Sequence, residues 1–182
     1  NAGLGGGSSD AAAAIRAFAR LWRVDDRRAR AIGRELGADV PYFFEGGTVL
    51  GLERGDLLFP LIDRPRAWVV LVLPHFGVST KDAFAWWDRA RRVPVAIDGD
   101  DVGNDLEPVV AARHPAIARI VMRLRRAGAT HAAMTGSGST VFGLFATEAA
   151  AARAARALTS RAHAVRITTT VNRAQYQRLA AI

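Results

Sequence analysis

The chain opens NAGLGGGSSDAAAA, where Gly3, Gly5, Gly6, Gly7 and two serines feed directly into an alanine-rich segment. Glycine loses more backbone freedom on ordering than any other residue, so this clustering against a strong helix former needs a reason. Without Cβ atoms, successive N–H groups can converge on a phosphate, and the helix that follows adds the positive end of its dipole. Ser8 and Ser9 would supply hydroxyls for phosphate oxygens or for a magnesium ion. The spelling excludes three familiar loops. A P-loop would end in Gly-Lys-Ser/Thr, and this run holds no lysine. The dinucleotide fingerprint read from Gly3 and Gly5 would need glycine where Ser8 stands, and no Gly-x-Ser-x-Gly elbow is present. A plain flexible loop ahead of a helix is the other reading.

Composition narrows the setting. With 182 residues, half of them hydrophobic and no cysteine, the chain has material for a core but none for disulfides or thiolate metal sites. No apolar run approaches the roughly 20 residues of a membrane-spanning helix; the longest, AWVVLVLP, has the size of a strand. A cytoplasmic protein with no membrane partner is expected. The net charge of +8 is carried almost wholly by arginine, Lys81 being the only lysine. Such a charge suits a nucleotide, a nucleic acid or a phosphorylated metabolite, or it is spread over solvated helix faces. The arginines are scattered and not interleaved with exposed-looking aromatics, so a nucleic-acid partner is not expected. The sequence does not begin with Met and starts almost inside its first motif, so a preceding segment is expected.

Along the chain, Ser8 or Ser9 is positioned to cap a helix running from Asp10 to about Leu21. Asp25 or Asp26 caps a second helix, which Gly37 would end in a left-handed conformation, and Pro41 would impose an extended exit at Val40. GGTVLGL and DLLFPL read as two short strands joined through ERG. The segment RPR at 64–66 marks a boundary. Beyond it the pattern is a strand near 67–73, a helix from Ser79 or Thr80, helices near 105–112 and 115–127, two strands flanking GSGS, a helix near 148–159 and a final strand HAVRITTT. Leaving out the extra helix, this is the β-α-β-β-α-β order of a ferredoxin-like sheet with helices on one face.

Two further places could carry chemistry. MTGSGST lies between two strands and reads either as a hairpin or as a second grip on a phosphate. Asp39, the only acid in LGADVP, could aim a carboxylate at a substrate hydroxyl or serve as a turn residue. His75, His114, His131 and His163 show no metal-ligand spacing, and IDGDDVGNDLEP does not fit a calcium loop.

Taken in order, GLGGGSSDAA, LGADVPYFFEGG, VSTKDAF, NDLEPVV and MTGSGSTVFGLF resemble the GHMP family of small-molecule kinases, which includes galactokinases, homoserine kinases and mevalonate kinases. The resemblance covers essentially the whole chain. It implies an α+β fold, with residues 1–65 forming the remainder of an N-terminal α/β catalytic domain and 66–182 a C-terminal ferredoxin-like domain. It also implies ATP and Mg2+, a monomer or homodimer, and an alcohol acceptor. The wording is nearest to members whose acceptor is a cytidine diphosphate-linked methylerythritol, in the non-mevalonate route to isoprenoid precursors. By this resemblance Gly3, Leu4, Gly5, Gly6, Gly7, Ser8 and Ser9 would wrap the ATP phosphates, with Ser9 also on magnesium. Asp39 falls where the family has its catalytic aspartate. Phe84, or Trp86 in a shifted register, matches the aromatic that stacks on cytosine, and Gly136, Ser137 and Gly138 would buttress phosphate loop and substrate diphosphate. The family's catalytic lysine and most cytidine-binding residues lie in N-terminal strands that this sequence does not contain; Lys81 matches a different segment.

Overall fold

The computed structural model describes residues 3–90 and 103–181. They divide into two compact units. One takes the described residues of Asn1–Leu4 and Ala67–Thr170, the other those of Gly5–Arg66 and Val171–Ile182. The mid-chain boundary between the units, Arg66/Ala67, lies beside the expected 65/66.

The unit holding Gly5–Arg66 begins with helices α1 (Gly6–Leu21), α2 (Asp26–Leu36) and α3 (Tyr42–Glu45). Strands β1 (Val49–Leu52) and β2 (Leu57–Pro60) follow as an antiparallel hairpin that pairs Leu50 with Phe59 and Leu52 with Leu57. Ala12 and Ile15 of α1 and Ala29 of α2 bury against Val40 and Phe44. Helix α1 starts earlier than its serines suggest. Gly5 is the N-cap at φ 64° and no side chain caps the helix, so Ser8 and Ser9 lie inside the first turn instead of ahead of it. Asp25 caps α2 by accepting a bond from the Arg28 amide. Gly37, at φ 172°, is extended and not left-handed. Pro41 is helical at φ −55°, and residues 38–41 form a turn into α3. Burial of Val40, only 3% exposed, holds that turn down.

Helix α8 (Arg173–Ala180) completes this unit and was not expected from the sequence. It starts at a capping box in which Asn172 Oδ1 accepts from the Gln175 amide and Gln175 Oε1 from the Asn172 amide. Its anchor is Asp63. One carboxylate oxygen accepts the Thr48 amide and the other the Arg173 amide, both at 2.7 Å. Gly47 makes this approach feasible. Its φ is +68°, and a Cβ there would lie 2.4 Å from Asp63 Oδ1 and 2.7 Å from Arg173 Cβ.

The unit holding Ala67–Thr170 contains β3 (Trp68–Pro74), α4 (Thr80–Arg89), α5 (Glu107–Arg113), α6 (Ala116–Arg126), β4 (His131–Met134), β5 (Val141–Phe145), α7 (Glu148–Leu158) and β6 (His163–Thr169). The strands form one antiparallel sheet in the order β4-β5-β3-β6, the arrangement expected of a ferredoxin-like α+β unit. Val70 and Val72 of β3 alternate inward, as do Val141 and Phe145 of β5, beneath Ile117 and Leu124 of α6 and Leu158 of α7. Gly143, opposite Val70, lets α6 settle close: a Cβ would stand 3.0 Å from Leu124 Cδ2. The segment IDGDDVG up to Val102 lies outside the described residues.

Two outcomes test this packing. Gly47→Ala is expected to lower stability by about 2 kcal/mol or more, read by chemical denaturation, because it combines a positive φ with overlap on Asp63. The Asp63 carboxyl is held below its ordinary range, first by the Arg173 amide and then by the Thr48 amide. A depressed carboxylate contributes stability above its unfolded pKa and loses it as pH falls through the folded value. Asp63→Asn is therefore expected to unfold more readily than the parent at neutral pH, with the gap closing in acid.

Candidate functional site

At the start of α1 the first helical bond runs from the Ser9 amide to the Gly5 carbonyl, at 2.9 Å. The amides of Gly6, Gly7 and Ser8 come before it, in the stretch where a helix leaves its N–H groups without internal partners. Gly5 has a structural reason to be glycine: its φ is positive, and a Cβ would meet the Phe43 ring at 3.0 Å. Gly6 and Gly7 have no such reason. Both are exposed, neither has positive φ, and a Cβ on either would meet nothing within 4 Å. Two glycines in a first helical turn that the fold does not demand leave room for something from outside to approach the backbone.

Asp39 is exposed on the turn between α2 and α3. The side chain caps neither helix, since Gly37 ends α2 and Pro41 starts α3 without a side-chain bond. The turn is packed beneath it. Val40 is buried over Gly33, where a Cβ would meet the Phe44 ring at 2.9 Å and Val40 Cγ1 at 3.3 Å. The Phe43 amide bonds the Val40 carbonyl at 3.1 Å, and the Phe43 ring lies against Gly5. One aromatic thus links the Asp39 turn to the beginning of α1 within this unit.

In the other unit, the turn after β4 is built almost entirely of backbone. The Thr135 amide bonds the Thr140 carbonyl at 2.9 Å, and the Gly138 amide bonds the Thr135 carbonyl at 3.0 Å. Gly136 and Gly138 take φ of 55° and 88°. Gly3 packs on this turn, its carbonyl accepting from Thr135 Oγ1 at 2.9 Å. A Cβ on Gly3 would fall 2.2 Å from the Thr135 carbonyl oxygen, so Gly3 is needed for backbone-to-backbone contact. Leu4, beside it, is exposed.

Three side chains that sequence reasoning gave no role hold the turn in place. Asn104 Nδ2 donates to the carbonyls of Met134 and Gly136 at 2.9 and 2.8 Å, while its Oδ1 accepts from Leu106. Glu107 Oε2 accepts the Met134 amide at 2.6 Å. Thr80 and Ser137 share a hydroxyl–hydroxyl bond of 2.9 Å, which ties the turn to the first residue of α4. Their signal lay in NDLEPVV and VSTKDAF, quoted above as motifs without roles for these residues. Helix α4 also separates the two aromatic candidates. Phe84 is 51% exposed, whereas Trp86 packs on the core with the Arg113 guanidinium 4.6 Å above its ring.

Among the described residues no group of three or more His, Asp or Glu is arranged to hold a metal ion. Magnesium keeps several waters and is bound by one or two protein oxygens together with substrate phosphates. Half-buried Ser9 in the first turn of α1 fits that kind of site; a protein-only cage does not exist among these residues.

Comparisons with known proteins match most of the chain. A model of the GHMP kinases N terminal domain matches residues 1–47, and one of the GHMP kinases C terminal region matches residues 96–164. A Bacillus mycoides protein named 4-diphosphocytidyl-2-C-methyl-D-erythritol kinase is 41% identical over 160 residues, covering 79% of this chain and 55% of that protein. A Streptococcus agalactiae serotype Ia protein, given the same name provisionally, is 44% identical over 168 residues, covering 84% of this chain and 59% of its own length. A crystal structure of 4-(cytidine 5'-diphospho)-2C-methyl-D-erythritol kinase superimposes with a TM-score of 0.75 at 31% identity, over 93% of this chain and 65% of that one. The chain spans about three fifths of the length of the curated relatives it matches.

Asn104 offers the cleanest test of the turn. Asn104→Asp keeps the acceptor for Leu106 but sets carboxylate oxygen against two carbonyls. It is expected to cost about 1–3 kcal/mol in denaturant unfolding. Unchanged stability would show that the two donated bonds are not formed.

Proposed function

We propose that this chain, which belongs to the GHMP kinase family, transfers the γ-phosphoryl group of ATP to the 2-hydroxyl of 4-diphosphocytidyl-2-C-methyl-D-erythritol. The observation that carries the reading is the start of α1, where Gly6 and Gly7 face open space and the fold gives neither a reason to be glycine. It gains weight from the 41–44% identity to proteins of that kinase name.

Phosphoryl transfer asks a protein for positioning and charge neutralisation more than for covalent chemistry. The amides of Gly6, Gly7 and Ser8, at the positive end of the α1 dipole, would bind phosphate oxygens. Leu4 and Gly5 complete the loop. Mg2+, held in part by Ser9, would neutralise phosphate charge. Asp39 would hold the acceptor hydroxyl by a hydrogen bond and take up its proton. Gly3, whose backbone packs on the turn, acts through it, keeping Gly136, Ser137 and Gly138 presented to the substrate diphosphate. Exposed Phe84 is free to stack on the cytosine ring, whereas Trp86 is already covered by Arg113. Among the described residues no helix is long and apolar enough to cross a membrane. A cytoplasmic setting, and a monomer or homodimer, belong to the same reading.

Two measurements test it. With magnesium-ATP, ADP release is expected with the cytidyl substrate and not with homoserine or mevalonate; turnover confined to either of the latter would contradict the assignment. Asp39→Asn is expected to lower kcat by about 100-fold or more with ATP affinity nearly unchanged. Equal turnover by that variant would remove Asp39 from the role.

A further inference from the structure

A cavity of about 490 Å3 opens between α1, α2 and α8, wholly within the unit that holds Gly5–Arg66. Its walls combine three arginines (Arg16, Arg20 and Arg23) with small or apolar groups such as Ala19, Val24 and Phe44. Asp26, an acid that also lines the cavity, is bonded by Arg30 at 2.6 Å. Arg16 is half-buried and held by neutral partners. It donates to the Phe43 carbonyl and lies 3.4 Å from the Tyr176 hydroxyl, with its guanidinium 5.2 Å from the centre of the Phe44 ring. None of these partners neutralises its charge. Arg20 has an ordinary explanation, since a cation in the last turn of α1 complements the helix dipole.

Arg23 has none. The loop that ends α1 closes with a 2.8 Å bond from the Val24 amide to the Ala19 carbonyl, and this forces Arg23 to φ +53°. Glycine is the usual residue in that left-handed position, because any Cβ there is strained. The chain thus keeps an arginine where glycine would be more stable, and that arginine lines the cavity. A residue that carries this backbone cost and also lines a cavity points to a ligand.

We propose that this cavity binds a phosphate monoester carrying a short apolar group. Three guanidinium groups match a phosphate dianion better than a single carboxylate, and their planar forks suit phosphate oxygens. The alanines, Val24 and Phe44 give the apolar group an apolar wall. The site is independent of the kinase reading, since none of its arginines belongs to the phosphate loop or to the Asp39 turn.

The test is calorimetric titration of the chain with hexyl phosphate, inorganic phosphate and hexanol, beside Arg20→Ala and Arg23→Gly. Hexyl phosphate is expected to bind saturably and more tightly than the other two. Arg23→Gly is expected to weaken that binding by about tenfold or more while raising the melting temperature, which separates lost binding from lost folding. Arg20→Ala should weaken it similarly. Binding that survives both substitutions lies elsewhere and overturns the proposal, as does the absence of saturable binding. Inorganic phosphate binding equally well would remove the apolar wall from the ligand's recognition. A lower melting temperature in Arg23→Gly would remove the strain that singles this residue out.

Discussion

A helix cannot satisfy its own first N–H groups, and at the start of α1 the chain meets that constraint with glycine instead of a capping side chain. Gly5 turns left-handed, and the amides of Gly6, Gly7 and Ser8 follow with no Cβ on the first two. A serine or aspartate at the cap would have filled one of those donor positions from within. Leaving it unfilled costs helix stability and gains a surface of backbone donors at the positive end of a dipole. Much of this unit follows from how that bend is held. Gly5 sits on the Phe43 ring, the Phe43 amide bonds the Val40 carbonyl, and Val40 is buried over Gly33. Asp39 is carried on the same turn.

The second unit solves a related problem with the opposite means. Its glycine turn is crowded where the first is open. Gly3 approaches so closely that a Cβ would overlap a carbonyl oxygen, and Gly138 could not carry one without meeting Met134 Sδ at 2.7 Å. Backbone packed that tightly needs its polar groups accounted for. Asn104 and Glu107 take up Met134 N–H, Met134 C=O and Gly136 C=O, and Thr80 takes Ser137. The glycines here are required by the fold; Gly6 and Gly7 are not.

Much of this could be read before any coordinates. The β4-β5-β3-β6 sheet was legible because β3 is an uninterrupted apolar run of strand length and short apolar runs flank the GSGS turn. Helix α7 was legible because alanine needs no partner to favour helix and Thr147 stands ready to cap it. The errors share one cause. Residue preference makes Ser8 or Ser9 a cap and Gly37 left-handed, whereas packing around Phe43 and Val40 decides both ends. Helix α8 was missed although Asn172 and Gln175 spell a capping box, because it has no buried apolar face and is held by Asp63 from across the unit. The candidate site divided the same way. Glycine runs and a lone aspartate stand out in a sequence, but Asn104, Glu107 and Thr80 act by reaching distant backbone, which no local spacing reveals.

The proposed reaction passes a phosphoryl group from ATP to a hydroxyl of a cytidine diphosphate-linked acceptor. The most direct measurement is a phosphorus NMR spectrum of the products of magnesium-ATP and 4-diphosphocytidyl-2-C-methyl-D-erythritol. The predicted result is a new phosphomonoester resonance growing with ADP while the diphosphate bridge of the acceptor stays intact. ADP accompanied only by inorganic phosphate would contradict it.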